Sequence, residues 1–132
     1  MPVRKQYGVI PYFQESEKLK IILITSRKSQ QWIVPKGDLF PHKSKSGAAL
    51  QEAFEEAGVI GQIDKTIKHK LSITSGGEDI ELLLYPMLVK TQLENWPEKS
   101  QRKRIAVSPE NAKALVNWTD FDSCIKLIQK SL

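Results

Sequence analysis

Cysteine occurs once in the 132 residues, at Cys124. That excludes an internal disulfide framework and suits a reducing cytoplasm, which is the expected location. Cys124 itself lies in an apolar helical pattern and reads as buried packing. No apolar run approaches the roughly 20 residues that a membrane helix needs, so no membrane partner is expected. The basic opening, Met1 to Tyr7, lacks the apolar stretch of a signal peptide. Internal repeats, low-complexity tracts and long linkers are also missing, so one domain covering 1–132 is expected. Histidine occurs twice, at His42 and His69, without metal-ligand spacing, and neither is given a role beyond a phosphate contact.

What is present is ordinary for a folded chain, with 40% hydrophobic and 27% charged residues. The charge is unbalanced at +5, which favours anionic partners. Basic residues gather at Arg27-Lys28, Lys36, Lys43 and Lys45, Lys65 to Lys70, and Arg102-Lys103-Arg104. Aromatics are not interleaved with them in an RNA-binding pattern. A phosphate-rich small molecule is therefore the favoured partner, and nucleic acid an open but less favoured one. The oligomeric state is not set by the sequence.

Tyr7 to Phe13 and Lys20 to Thr25 read as β-strands joined by a hairpin connection. Trp32 to Val34 is a third short strand stopped by Pro35, followed by a long loop from Lys36 to Ser46. Loops of that length are often functional. Gly47 to Ala57 (GAALQEAFEEA) turns helical, with Ser46 as N-cap and Gly58 as C-terminal cap. Strands are expected at Thr66 to Thr74 and Ile80 to Thr91 around a Ser75-Gly76-Gly77 turn. Pro86 points to an edge position or a bulge in the second of these. Arg104 to Val107 is a further strand, and Ser108-Pro109-Glu110 starts a helix with Pro at its first position. A last amphipathic helix runs from about Thr119 with Phe121, Cys124, Ile125 and Ile128 inward. The irregular alternation implies an α+β fold, an α/β/α sandwich with a mixed sheet between helices.

The sharpest chemical signal is on the first helix. At about 100° per residue, Glu55 falls near −60° and Glu56 near +40° from Glu52, so the three carboxylates share one arc. Leu50, Ala53, Phe54 and Ala57 fall on the face that packs on a sheet. Like charges at i and i+4 repel unless a cation joins them, and hard oxygen ligands suit Mg²⁺ or Mn²⁺. Three glutamates on a helix are usually no more than a solvated face. The loop that leaves Gly37 and returns to the helix start, with Gly58-Val59 closing the helix just beyond, raises the odds of a site.

With those residues in place, the chain resembles a Nudix hydrolase. The family box is Gly, five residues, Glu, seven residues, Arg-Glu, an apolar residue, any residue, Glu-Glu, any residue, Gly, apolar. Gly37 opens it and Gln51-Glu52-Ala53-Phe54-Glu55-Glu56-Ala57-Gly58-Val59 closes it with every spacing kept. Trp32 to Gly37, Leu93-Glu94-Asn95-Trp96 and Arg102-Lys103-Arg104 also look like the diphosphoinositol polyphosphate phosphohydrolases and their bacterial relatives, so the likeness runs from about Tyr7 to Leu115. Two positions depart: Lys43 stands where the family has its first Glu, and Gln51 where it has Arg.

The resemblance implies attack of water on a phosphorus of a diphosphate-linked substrate. Glu52, Glu55 and Glu56 would be the metal-binding and catalytic carboxylates, with Mg²⁺ or Mn²⁺ as cofactor. Glu94 and Glu98 are candidates for a further acid from a later loop. Gly37 would let backbone approach the metal or phosphate closely. Arg27, Lys36, Gly37, Arg102, Lys103 and Arg104 are the expected substrate-side residues, since arginine suits phosphate. A diphosphoinositol polyphosphate or dinucleoside polyphosphate is the favoured substrate. Nucleotide sanitation or removal of a 5′ RNA diphosphate is a second reading, with Tyr12, Tyr85 or Trp96 available to stack on a base. A non-catalytic phosphate-ligand binding module is a third.

Overall fold

Residues 3–132 are described by the structure, a computed structural model; Met1 and Pro2, at the head of the basic opening, lie outside them. Two long strands form the spine. β1 (Arg4–Glu15) and β7 (Glu78–Gln92) run parallel from Arg4 opposite Ile80 to Tyr12 opposite Leu88. β2 (Lys18–Thr25) returns on β1 through the two-residue Ser16-Glu17 turn. β3 (Trp32–Ile33) pairs with β2, β4 (Lys36–Gly37) with β1, and both β5 (Val59–Ile63) and β6 (His69–Ser75) with β7. β8 (Arg104–Val107) completes one mixed eight-stranded sheet by pairing with β2.

Strict alternation along these strands divides the core between two faces. Ile10, Ile21, Leu23, Leu82 and Leu84 point to one side, where α2 (Pro109–Leu115) and α3 (Phe121–Ser131) cover them with Ala112, Val116, Phe121, Cys124, Ile125 and Ile128. Tyr7, Val9, Ile22, Ile24, Tyr85, Met87 and Val89 point to the other, beneath the alanines of α1 (Lys45–Glu52) and the turn that extends it. The α/β/α sandwich with a mixed central sheet is thus the observed fold. No helix among the described residues is long and apolar enough to cross a membrane. The α3 stripe is the one its spacing predicts, and burial pushes the Cys124 thiol up to about 12, which makes it packing rather than a nucleophile.

Several local expectations are corrected. β5 is an additional strand where only the close of the helix was expected. Pro86 is neither at an edge nor in a bulge: it pairs with Ile10 in the middle of the sheet. Its carbonyl accepts from Asp64 N–H, so its missing N–H faces the same way, into the interval between β5 and β6 where no ladder bond is required. The long loop after Pro35 is tied at its start, because Lys36 and Gly37 form β4 against Gly8 and Tyr7. The helix is capped by Ser44, whose Oγ accepts from Gly47 N–H at 3.0 Å, and Ser46 is a buried residue of its first turn. Phe54 leaves the packing face and is 36% exposed, a consequence of the altered winding described next.

Candidate active site

The carboxylates sit where the helix changes pitch. α1 ends at Glu52, and Ala53–Ala57 continue it as a π-helical turn. Gly58 N–H closes that turn on the carbonyls of both Ala53 and Phe54, and Gly58 has the left-handed φ of 65°. Such turns inside helices recur at functional sites. Ala49, Ala53 and Ala57 are fully buried, so small side chains let this segment lie close on the sheet while the glutamates project from its flank.

Four successive carbonyls at the end of the turn receive donors from one later segment, 93–104. Glu98 N–H donates to Glu55 O at 3.0 Å, Trp96 Nε1–H to Glu56 O at 3.0 Å, Arg104 Nη1–H to Ala57 O at 2.8 Å, and Leu93 N–H to Gly58 O at 2.8 Å. These are the groups a helix end leaves unpaired, and their capture fixes the turn that carries the glutamates. A Cβ on Gly58 would stand 2.7 Å from the Trp96 ring, and Arg104 lies 4.1 Å over that ring. Trp96 is therefore a cover for the turn. Tyr85 is buried, and Tyr12 packs toward the α2/α3 face. None of the three aromatics considered for base stacking offers a free face beside the glutamates.

Gly37 and Glu52 make the closest approach in the site. A Cβ at Gly37 would fall 2.5 Å from the carboxyl carbon of Glu52, so any side chain there would displace that carboxylate from its present position. Glu56, buried beside it, accepts Lys36 N–H on Oε1 at 3.2 Å and faces Arg102 Nη2 at 3.4 Å from Oε2. Glu52 is pushed up to about 9, first by burial, then by its hydrogen bond to Glu56 and the charges of Glu56, Glu55 and Glu98. Burial also raises Glu56, against the opposing pull of Glu52, Arg102 and the Lys36 amide. The two carboxyls share one environment, so the upward shift belongs to the pair rather than to either residue alone.

Glu55 accepts from Gln51 Nε2–H at 3.0 Å, which shows what the uncharged Gln51 does contribute. Of the two later acids, Glu98 is at the site, bonded to Arg102 Nε at 3.0 Å; Glu94 is exposed. Among the described residues no three His, Cys, Asp or Glu side chains stand in ready ion-binding geometry: Glu52 and Glu56 are paired, whereas Gln51 bonds Glu55 and Arg102 bonds Glu98. The donor set still fits a hard divalent ion. It is all oxygen, carries mutually repelling charge, and adjoins a glycine whose Cβ would fill the space.

The expected substrate-side residues divide. Arg27 is exposed, with Nε 4.0 Å from Glu98 and Nη1–H donating to Gln101. Lys103 is exposed, and its backbone pairs with Thr25. Lys36 is half-buried, with Nζ donating to Gln6 Oε1 at 2.7 Å, and burial lowers its pKa from the ordinary lysine value. Arg102 and Arg104 are engaged inside the protein and are not free phosphate ligands as they stand. Lys43 and His42 are exposed in the loop before α1, while His69 borders a small apolar cavity beside Cys124 and Ile128, on the α2/α3 side.

Fold and site together define a class: a mixed-sheet sandwich that displays clustered carboxylates from one helix beside a glycine-bearing strand. Sequence comparison places the chain within it. Nudix hydrolase 18, mitochondrial, of Arabidopsis thaliana is 32% identical over 136 residues, covering 96% of this chain and 77% of that protein. Human diphosphoinositol polyphosphate phosphohydrolase 3-alpha is 27% identical, covering 96% and 70%. A crystal structure of a C. elegans Ap4A hydrolase has the same fold, with a TM-score of 0.80, 18% identity and 98% of each chain covered. No protein-family model matches the chain. The chain belongs to the Nudix hydrolase family, whose members act on phosphoanhydride bonds.

Proposed function

We propose that this protein is a divalent-metal-dependent hydrolase of a polyphosphorylated small molecule, with a diphosphoinositol polyphosphate or dinucleoside polyphosphate as its substrate class. The observation that carries the proposal is half-buried Glu52, lodged against Gly37 and beside the buried Glu56. A buried carboxylate with a second, half-buried one beside it is costly without a cation, which makes little sense as a merely solvated helix face. The substrate class is supported by the diphosphoinositol polyphosphate phosphohydrolases among the relatives and by the net charge of +5.

Glu52, Glu55 and Glu56 are the residues that would hold Mg²⁺ or Mn²⁺. When bound, such an ion neutralises phosphate charge and lowers the pKa of a coordinated water. The chain's own part is to place and protect this group. Gly37 keeps the strand close without a Cβ, and the 93–104 segment fixes the turn from above. Arg27 and Lys103, exposed on segments that adjoin Glu98 and Thr25, are the proposed first contacts for substrate phosphates. Lys36 is a second-line cation that would have to leave Gln6 to reach one. The proton of the attacking water passes to the carboxylate group formed by the three helix glutamates and Glu98.

The test is turnover of dinucleoside polyphosphates, inositol pyrophosphates, nucleotide sugars and oxidised nucleotides with Mg²⁺ and with Mn²⁺. Glu56→Gln should lower the preferred reaction by at least about tenfold, roughly 1.4 kcal/mol of barrier. Unchanged turnover in both Glu52→Gln and Glu56→Gln would reject the mechanism.

A further inference from the structure

Arg102 reads from sequence as a phosphate ligand, yet its side chain is 5% exposed. Its donors are committed inside the protein. Nε–H bonds Glu98 Oε1 at 3.0 Å, Nη1–H bonds Thr25 O at 2.9 Å, and Nη2 lies 3.4 Å from Glu56 Oε2. Its own backbone neighbourhood is locked as well: Thr25 N–H donates to Lys103 O at 3.1 Å, and Lys103 N–H to Thr25 Oγ1 at 2.9 Å. The guanidinium is thus pre-set on the rigid end of β2 before any ligand arrives.

The same contacts show what it acts upon. Among the described residues, the ion pair on Glu56 is made by Arg102, and Glu56's other oxygen takes the Lys36 amide. Gln51 carries no charge and bonds Glu55 instead. We propose that Arg102 is a positioning residue of the carboxylate centre, fixing Glu56 in one orientation and holding Glu98 against the same site, the charged support that Gln51 does not provide. A planar guanidinium holds two carboxylates and a carbonyl in one fixed geometry, with donors on three separate nitrogens, whereas an ammonium's three donors radiate from a single rotating nitrogen. The assignment rests on the catalytic reading of these glutamates given above.

A positioning role, a substrate contact and a plain structural tether predict different results for Arg102→Met. Positioning lowers kcat by at least about tenfold while KM stays within about threefold. It also frees the Glu56 carboxylate, so the Lys36 amide that donates to it exchanges its proton at least about tenfold faster in metal-free protein. Arg102→Lys, which keeps the charge but not the fork, recovers both readouts only in part. A rise in KM with kcat and Lys36 exchange unchanged would overturn the proposal in favour of substrate contact. Loosening of the Leu93 and Glu98 amides, with Lys36 still protected, would overturn it in favour of a tether. If the Met variant does not fold, the Lys variant carries the same comparison on the same amides. Amide exchange needs no substrate, so a wild-type protein that cleaves no phosphoanhydride would fail the functional proposal while leaving this one to be decided separately.

Discussion

The two faces of the one sheet are built on opposite terms. On the α2/α3 face, Leu, Ile and Phe interlock around a buried thiol. On the α1 face, alanines bring the helix close, and the volume gained is occupied by groups that resist burial: Glu56 and the Arg102 side chain. The first arrangement gains free energy from each apolar side chain removed from water, roughly 1.5–3 kcal/mol apiece. The second gathers like charges and has to hold them with backbone donors and one arginine. Stability and function are therefore carried by opposite sides of the same strands, which explains how β1, β2 and β7 can serve both.

That division is open to a direct attack on the stabilising face. Ile125 is fully buried under the sheet. Ile125→Ala should cost about 3 kcal/mol, which for a chain of this length is a fall of roughly 10–15 °C in Tm. The folded fraction should keep its turnover within about twofold, since nothing on the other face is touched. Calorimetry with activity measured well below Tm checks both halves. A large loss of kcat in folded protein would mean that the faces are coupled.

The converse experiment strikes the functional face. In Gly37→Ala the new methyl carbon meets the carboxyl of Glu52 at 2.5 Å, and the flexible end of the glutamate is what must yield. A shift of about 1 Å in a reacting group typically costs about 100-fold, so kcat/KM should fall by about that factor, near 2.7 kcal/mol. Tm should change by only a few degrees, because no apolar contact is lost. If instead Tm collapses and the residual folded protein is fully active, Gly37 is a folding residue and the site reading fails.

How much of each face was legible follows from the physics that builds it. The α3 stripe needs only the helical period, and Phe121, Cys124, Ile125 and Ile128 lie inward as their spacing requires. The glutamates and Gly37 are legible because spacing along one chain brings them together. The π-helical turn is not: a constant angle per residue puts Phe54 in the core, and the wider winding after Glu52 turns it outward. Nor does any local pattern announce that Trp96 and Arg104 will cap carbonyls 40 and 47 residues upstream. The identity of Arg102 was visible, but its direction was not. A cation beside a predicted anion site reads equally well as a ligand for substrate or as a partner for the carboxylates, and only burial separates the two. Pro86 taught the same lesson in the backbone, since a missing N–H matters only where a neighbour needs it.

The smallest expected effect probes the free-energy cost of the functional face itself. Glu52 has an ordinary value near 4.5 that folding raises to about 9, so the folded protein binds more protons than the unfolded chain between those limits. Stability then falls as pH rises: the contribution is whole below about 4.5 and is lost as pH passes through the folded value. Tm of the metal-free protein should decline between about pH 5 and pH 9. Glu52 is only partly buried, so solvent screening holds the effect to about 1 kcal/mol, or roughly 3–6 °C. Glu52→Gln removes one of the two opposed charges and should flatten that decline, leaving the variant more stable than wild type at pH 8 while less active. Saturating Mg²⁺ should flatten it in wild type by supplying the missing counter-charge, and should do little for the variant. A metal-free protein whose Tm is level across this range, or a variant that declines in parallel, would show that Glu52 and Glu56 are not opposed charges in a shared, partly buried space. The α1 face would then be an ordinary half of the core.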